Sequence, residues 1–138
     1  MPCTPGRFSM NGRNRDYCRE WLKKAEHDLI TAHSVLALID GPTDTPCFHA
    51  QQAVEKALKG LLTFHGTDFG RTHDLLALFD LVSPLLPELA RFEEGLGVMN
   101  GYAVEIRYPG DVMEPDRMDA LEALQIAVQV VAMVKTLC

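Results

Sequence analysis

The chain has 138 residues, of which 47% are hydrophobic and 23% are charged, and its net charge at pH 7 is −6. These values are typical of one globular domain that can bury a core without metal ions or disulfides. The second half, residues 72–138, carries four basic and eleven acidic side chains, which argues against a broad phosphate-binding surface there.

The opening residues contain arginines in a polar stretch, unlike the apolar core of a secretory leader. No apolar run reaches the 18 or so residues that a bilayer-spanning helix needs. The four cysteines are too far apart for a C-x-x-C metal or redox motif; they are Cys3, Cys18, Cys47 and Cys138. We therefore predict a cytoplasmic protein with reduced thiols and no membrane contact.

Residues 1–13 contain two prolines and two glycines without apolar periodicity, so we expect a loose tail followed by one domain, residues 14–138. Apolar residues at spacings of three and four predict a first helix from about Asn14 to Ile39. The pair Thr45-Pro46 is expected to open a second helix as N-cap and first-turn proline. His65-Gly66 is expected to close it.

A short third helix is predicted after His73, and a long fourth helix over about 87–105, weakened by Gly95, Gly97 and Gly101. A fifth helix is predicted from Pro115 or Asp116 towards the C-terminus. No alternating strand pattern stands out. The sequence therefore predicts an all-α, up-and-down helical bundle with four long helices and one short one.

One face of the second helix carries four polar side chains spaced at i, i+3, i+7 and i+10: His49, Gln52, Lys56 and Lys59. At 100° per residue they fall within an arc of roughly 80°, beside the apolar stripe. Periodicity by itself favours a solvated helix face. The surrounding motifs favour a binding site instead.

The segment 47–59 resembles the second-helix signature of the HEPN family, a group of nucleotide- and RNA-associated helical domains. Three further motifs occur in the order that this family shows: Ala25-Glu26-His27-Asp28-Leu29, Thr72-His73-Asp74-Leu75 and Arg107-Tyr108-Pro109. The resemblance covers roughly residues 16–137. It implies a helical bundle that often forms homodimers, frequently with a minimal nucleotidyltransferase as a separate partner.

Some members of the family are metal-independent ribonucleases that use an arginine and a histidine separated by four to six residues. No arginine here is followed by a histidine at that separation, and Arg107 is followed by Val112, Met113 and Glu114 at those positions. Without a histidine as acid or base, RNA cleavage by this route is not expected. The alternative that stays open is a ribonuclease toxin that pairs Arg107 with His49 or His73.

The resemblance and the polar face together predict a nucleotide-binding site. Lys56, Lys59 and Arg107 would contact phosphate, and His49, Gln52 and His73 would line the same cleft. Asp74 lies where the third helix begins, and Tyr102 and Tyr108 could stack on a base. The simpler alternatives are a helix-start charge for Asp74, a neutralising role for Arg107 and a core position for Tyr102.

No His-x3-His or Glu-x-x-His pair occurs, so we expect neither a metal nor another cofactor. The expected partners are nucleotide or RNA phosphate, a separate nucleotidyltransferase in a toxin–antitoxin-like pair, and a second copy of the chain. DNA is not expected. A non-catalytic, nucleotide-binding or regulatory subunit is the favoured function, and a protein interaction module without a ligand is a further alternative.

Overall fold

Helices account for almost all of the regular structure in the computed structural model, which describes residues 5–103 and 114–138. In those two ranges there is no strand, and no helix is both long and apolar enough to cross a membrane. Five α-helices run in chain order: α1 Pro5–Leu36, α2 Asp44–Phe64, α3 Leu75–Val82, α4 Glu93–Met99 and α5 Arg117–Lys135. The predicted all-α fold is confirmed.

Helix α1 begins at Pro5, well before Asn14, so the expected loose conformation of residues 5–13 is corrected to helix. Proline suits the first turn, because its missing N–H would have no partner there. Gly12 is exposed, and a Cβ at this position would meet no atom within 4 Å.

Helix α2 lies at the centre of the bundle between α1 and α5, and most of its residues are buried. Gly60 permits the close approach of α1, since a Cβ there would lie 3.0 Å from the Trp21 Cβ and 3.3 Å from the Cys18 carbonyl oxygen. The N-cap of α2 is Thr43 instead of the predicted Thr45, and Pro46 still falls in the first turn of the helix. His65 and Gly66 end the helix as predicted.

The predicted long fourth helix is wrong. The segment is a 3₁₀ helix over Pro87–Phe92, then α4, then a 3₁₀ turn over Asn100–Tyr102. Each glycine costs roughly 1 kcal/mol relative to alanine in a helix, and a Cβ added at Gly97 would meet no atom within 4 Å, so side-chain packing does not offset that cost there. The described residues therefore contain three long and two short α-helices.

Cys18 and Cys138 form a disulfide with their Cα atoms 6.5 Å apart, which corrects the prediction of reduced thiols for this pair. The two residues are separated by 120 positions in sequence, but the packing of α1 against α5 brings them together. Cys47 is buried in a small apolar cluster between α1, α2 and α5, and Cys3 lies outside the described residues. The bond connects the start of the bundle to the end of the chain.

Candidate functional site

The first polar cluster surrounds Asp28, a buried carboxylate on α1. Its Oδ1 accepts a hydrogen bond from the Nδ1 of His49 at 2.8 Å, and its Oδ2 accepts one from the Nζ of Lys56 at 2.6 Å. Because His49 and Lys56 lie two helical turns apart on one face of α2, they can reach the carboxylate from either side. Asp28 therefore holds two of the predicted site residues in defined positions.

The second polar cluster surrounds Glu55 on α2. One carboxylate oxygen, Oε2, lies 3.1 Å from the Lys59 Nζ and 3.0 Å from the His73 Nδ1. The other, Oε1, accepts a bond from the Gln51 side-chain amide at 3.3 Å, and the same amide donates to the His73 carbonyl at 3.4 Å. Glu55 and Lys59 are only 4% and 6% exposed. Charges at such depth persist only when they are fully paired.

His73 is the exposed end of this second cluster. Its side chain is 73% exposed, whereas the Glu55 side chain that binds its Nδ1 is buried. An ionised carboxylate can only accept, so Nδ1 carries the proton and Nε2 faces away from the bond. The ring is thus oriented by a buried group. An imidazole in this arrangement can exchange a proton or, when protonated, bind an anion.

Lys59 differs most from its predicted role as an open phosphate contact. Its Nζ is paired with Glu55 and lies 6.0 Å from the Trp21 ring centroid and 5.7 Å from that of Phe69. Lys56 is 25% exposed despite its bond to Asp28. Of the two lysines, Lys56 is therefore the one that a ligand can reach without a rearrangement of the core.

Asp74 caps helix α3. Its Oδ1 accepts hydrogen bonds from the backbone N–H groups of Leu76 and Ala77, and from the Asn100 side-chain amide at 2.8 Å. The Asn100 bond, and then the Leu76 bond, hold the pKa of the Asp74 carboxyl below its ordinary value of 3.8. The cap therefore stabilises the fold above pH 3.8, and this contribution is lost as the pH falls through the folded-state pKa.

The remaining predicted residues fall in three places. Gln52 donates to the Gln51 side-chain oxygen at 2.7 Å and so extends the second cluster. Tyr102 is half-buried and packs against the apolar core, which agrees with the core position given above as the alternative to base stacking. Arg107 and Tyr108 lie outside the described residues, so their approach to the lysines stays a prediction. In the described part of the chain, no three His, Cys, Asp or Glu side chains are grouped to hold a metal ion.

Sequence reasoning did not assign a role to Asp28, Gln51, Glu55 or Asn100. Two of them carry a readable signal: Gln51, Glu55 and Lys59 follow one another at intervals of four, the spacing of side chains that touch on a helix. Asp28 belongs to the motif of residues 25–29, which contributed to the predicted family resemblance but was given no role of its own. Nothing local marks Asn100, because its partners lie 25 and 26 residues away.

The chain is thus an α-helical bundle with acidic and basic side chains buried along its central helix. The sequence model of the HEPN domain matches residues 18–137, and the chain belongs to that family. A Methanocaldococcus jannaschii protein named "Putative toxin MJ1304" is 29% identical over 147 residues, which span 91% of this chain and 90% of that protein. The crystal structure of ST0689, an archaeal HEPN homologue, has a TM-score of 0.67 and 29% identity, covering 86% of this chain and 95% of its own.

Proposed function

We propose that this protein is the phosphate-binding, non-catalytic HEPN component of a toxin–antitoxin-like pair, and that it binds RNA or nucleotide phosphate at His49, Lys56 and His73. The observation that carries the proposal is the buried Glu55, which orients an exposed imidazole at the edge of a fully paired charged network. Burying ion pairs rarely adds stability compared with apolar packing. A network of this kind is therefore better explained by the surface group that it positions.

The phosphate would take hydrogen bonds from groups that the two carboxylates hold in place. Lys56 has three N–H donors and uses one on Asp28, so two remain for an anion. His49 and His73 each present a second ring nitrogen, which donates when the ring is protonated. Arg107 would add a planar, two-pronged contact if its segment approaches this face.

Replacing Lys56 by alanine is expected to weaken RNA binding by about one to two orders of magnitude, because a charge-assisted phosphate contact contributes about 1.5–3 kcal/mol. Isothermal titration with a short single-stranded RNA and with adenosine monophosphate measures this effect. Lys135→Ala is the matched control, since Lys135 also pairs with a carboxylate, that of Glu26, but lies on α5. If the two variants bound RNA with equal affinity, the face of α2 that carries Lys56 would be an ordinary solvent-exposed helix surface and not a phosphate-binding site.

The proposed assembly is a homodimer that works with a separate minimal nucleotidyltransferase. Support comes from membership of the HEPN family and from the toxin name of the Methanocaldococcus relative. Light scattering is expected to give twice the chain mass at tens of micromolar. A nucleotidyltransferase reading frame beside the gene should yield a product that co-purifies with the protein, and a strict monomer without such a partner would refute the assembly.

A second candidate function is that of a ribonuclease toxin. The specific observation in its favour is the Glu55–His73 pair, because a carboxylate that orients an imidazole is a common arrangement for proton transfer. His73 would take the proton from a ribose 2′-hydroxyl as that oxygen attacks the adjacent phosphorus. The bond from phosphorus to the 5′-oxygen of the next nucleotide would break, that oxygen would take a proton from the protonated His73 or from water, and a 2′,3′-cyclic phosphate would remain. Arg107 would stabilise the negative charge that develops on the phosphate oxygens. The relative's toxin name also fits this function.

The purified protein is nevertheless expected to show no appreciable RNA cleavage, because it lacks the family's Arg-to-His spacing. A gel assay of unstructured RNA in the presence of a chelator tests this expectation. Cleavage that persists in chelator and falls about 10²- to 10⁴-fold in His73→Ala would establish the ribonuclease instead. His33→Ala, which changes an exposed histidine in the last turn of α1, is the control.

A further inference from the structure

Helix α1 carries an aromatic and basic stripe that the proposed function does not use. Tyr17, Trp21, Lys24 and Asp28 follow at intervals of four, three and four residues, so they share one helix face. Tyr17, Glu20, Trp21 and Lys24 line a shallow cavity of about 220 Å³. The tyrosine is 52% exposed and Trp21 is half-buried. Two aromatic rings thus line an open cavity.

This stripe is continuous with the phosphate-binding face. At one end Asp28 holds His49 and Lys56, and further along the Trp21 ring lies 6.0 Å from the Lys59 Nζ. Lys59 is paired with Glu55, and the same carboxylate also binds the His73 ring. The Phe69 ring centroid also lies 5.7 Å from the Lys59 Nζ, and the guanidinium of Arg15 lies 5.5 Å from the centroid of the Phe64 ring. Aromatic and cationic side chains are therefore neighbours in this region, with Arg15 and Lys24 exposed on α1 and Lys59 buried.

We propose that Tyr17 and Trp21 form a base-stacking platform, and that the ligand of the phosphate-binding face is a single-stranded RNA segment spanning both. The inference rests on the proposed function and names its ligand class. Single strands are bound in this way, with cations along the backbone and aromatic rings under the bases, and such stacking needs no particular base. A lone mononucleotide would not reach from the Asp28 cluster to Tyr17, since the stripe rises about 16 Å over eleven residues.

The charge around the platform suits such a strand. Residues 1–71 carry nine of the thirteen basic side chains, and Arg15, Arg19, Lys23 and Lys24 are exposed on α1. Glu20 lines the cavity and opposes an anion. Its neutralisation in Glu20→Gln is therefore expected to strengthen RNA binding by about 1.5- to 5-fold, as the loss of one exposed like charge would. If this surface contributed only to folding, Glu20→Gln would not increase the affinity for RNA.

The experiment uses an oligouridylate of about ten nucleotides and the full chain, whose only tryptophan is Trp21. Stacking is expected to quench Trp21 emission during the titration. Tyr17→Ala should weaken binding by about 5- to 150-fold, while Tyr17→Phe, which keeps the ring, stays near the wild type. The matched control is Ile30→Ala, a change of a 62%-exposed residue on the opposite face of α1.

An abasic oligomer of the same length separates this inference from the proposed function. It retains the phosphates, so Lys56→Ala should weaken its binding while Tyr17→Ala should leave it unchanged. If Tyr17→Ala binds oligouridylate like the wild type while Lys56→Ala is impaired, the platform is refuted and the phosphate-binding face stands. If wild type binds neither oligomer, both proposals fail. Equal binding of the oligodeoxyuridylate would refute the choice of RNA.

Discussion

Replacing Glu55 by alanine is expected to lower the free energy of unfolding by about 3–5 kcal/mol, because it leaves the buried Lys59 ammonium without its counter-charge. The side chains of Glu55 and Lys59 are both less than a tenth exposed, and the Lys59 Nζ lies 3.1 Å from the Glu55 Oε2. The same change also removes the acceptor for the Gln51 amide and for the His73 ring. Urea unfolding followed by circular dichroism measures the loss.

Two further variants give this prediction its control. Glu26→Ala removes an exposed carboxylate from its pair with Lys135 and should cost below about 1 kcal/mol, as exposed ion pairs do. Glu55→Met combined with Lys59→Met removes both buried charges and should recover most of the stability. If Glu55→Ala lowers the free energy of unfolding no more than Glu26→Ala does, the buried Lys59 ammonium does not need Glu55 as its counter-charge. If the double variant binds RNA less well than wild type, the network serves the site and not the fold.

The Cys18–Cys138 disulfide is expected to contribute about 2–5 kcal/mol to stability, because it closes a very long loop in the unfolded chain. The cross-linked residues are 120 positions apart, and the entropy lost by the unfolded chain grows with the length of the loop. Cys138→Ser is the better test, since Cys18 is fully buried whereas Cys138 is partly exposed. Its urea midpoint should fall to that of the reduced wild-type protein.

A reductant provides the internal control for this second prediction. Dithiothreitol should lower the stability of the wild type and leave Cys138→Ser unchanged, because Cys47 is not part of the disulfide. A wild-type protein that unfolds at the same urea concentration with and without reductant would show that the bond does not form in solution or contributes nothing.

The fold class and the family could both be predicted from the amino-acid sequence. Helical periodicity depends on residues three and four positions apart, so both ends of α2 and the starts of α3 and α5 were predicted close to those in the structure. Asp74 and Asp116 were recognisable as helix-start residues, because capping also acts over two or three positions. The four motifs between residues 25 and 109 were sufficient to identify the HEPN family, which the match over residues 18–137 confirms.

Which charged side chains contact one another became clear only from the packing of the helices. His49 and Lys56 were predicted as open contacts, yet both bind Asp28, which lies 21 and 28 residues earlier. Which side of α2 faces α1 depends on how the helices pack, and periodicity cannot supply that rotation. The disulfide and the broken fourth helix were missed for related reasons. A bond across 120 residues leaves no local pattern, and glycines shorten a helix only where packing does not offset their cost.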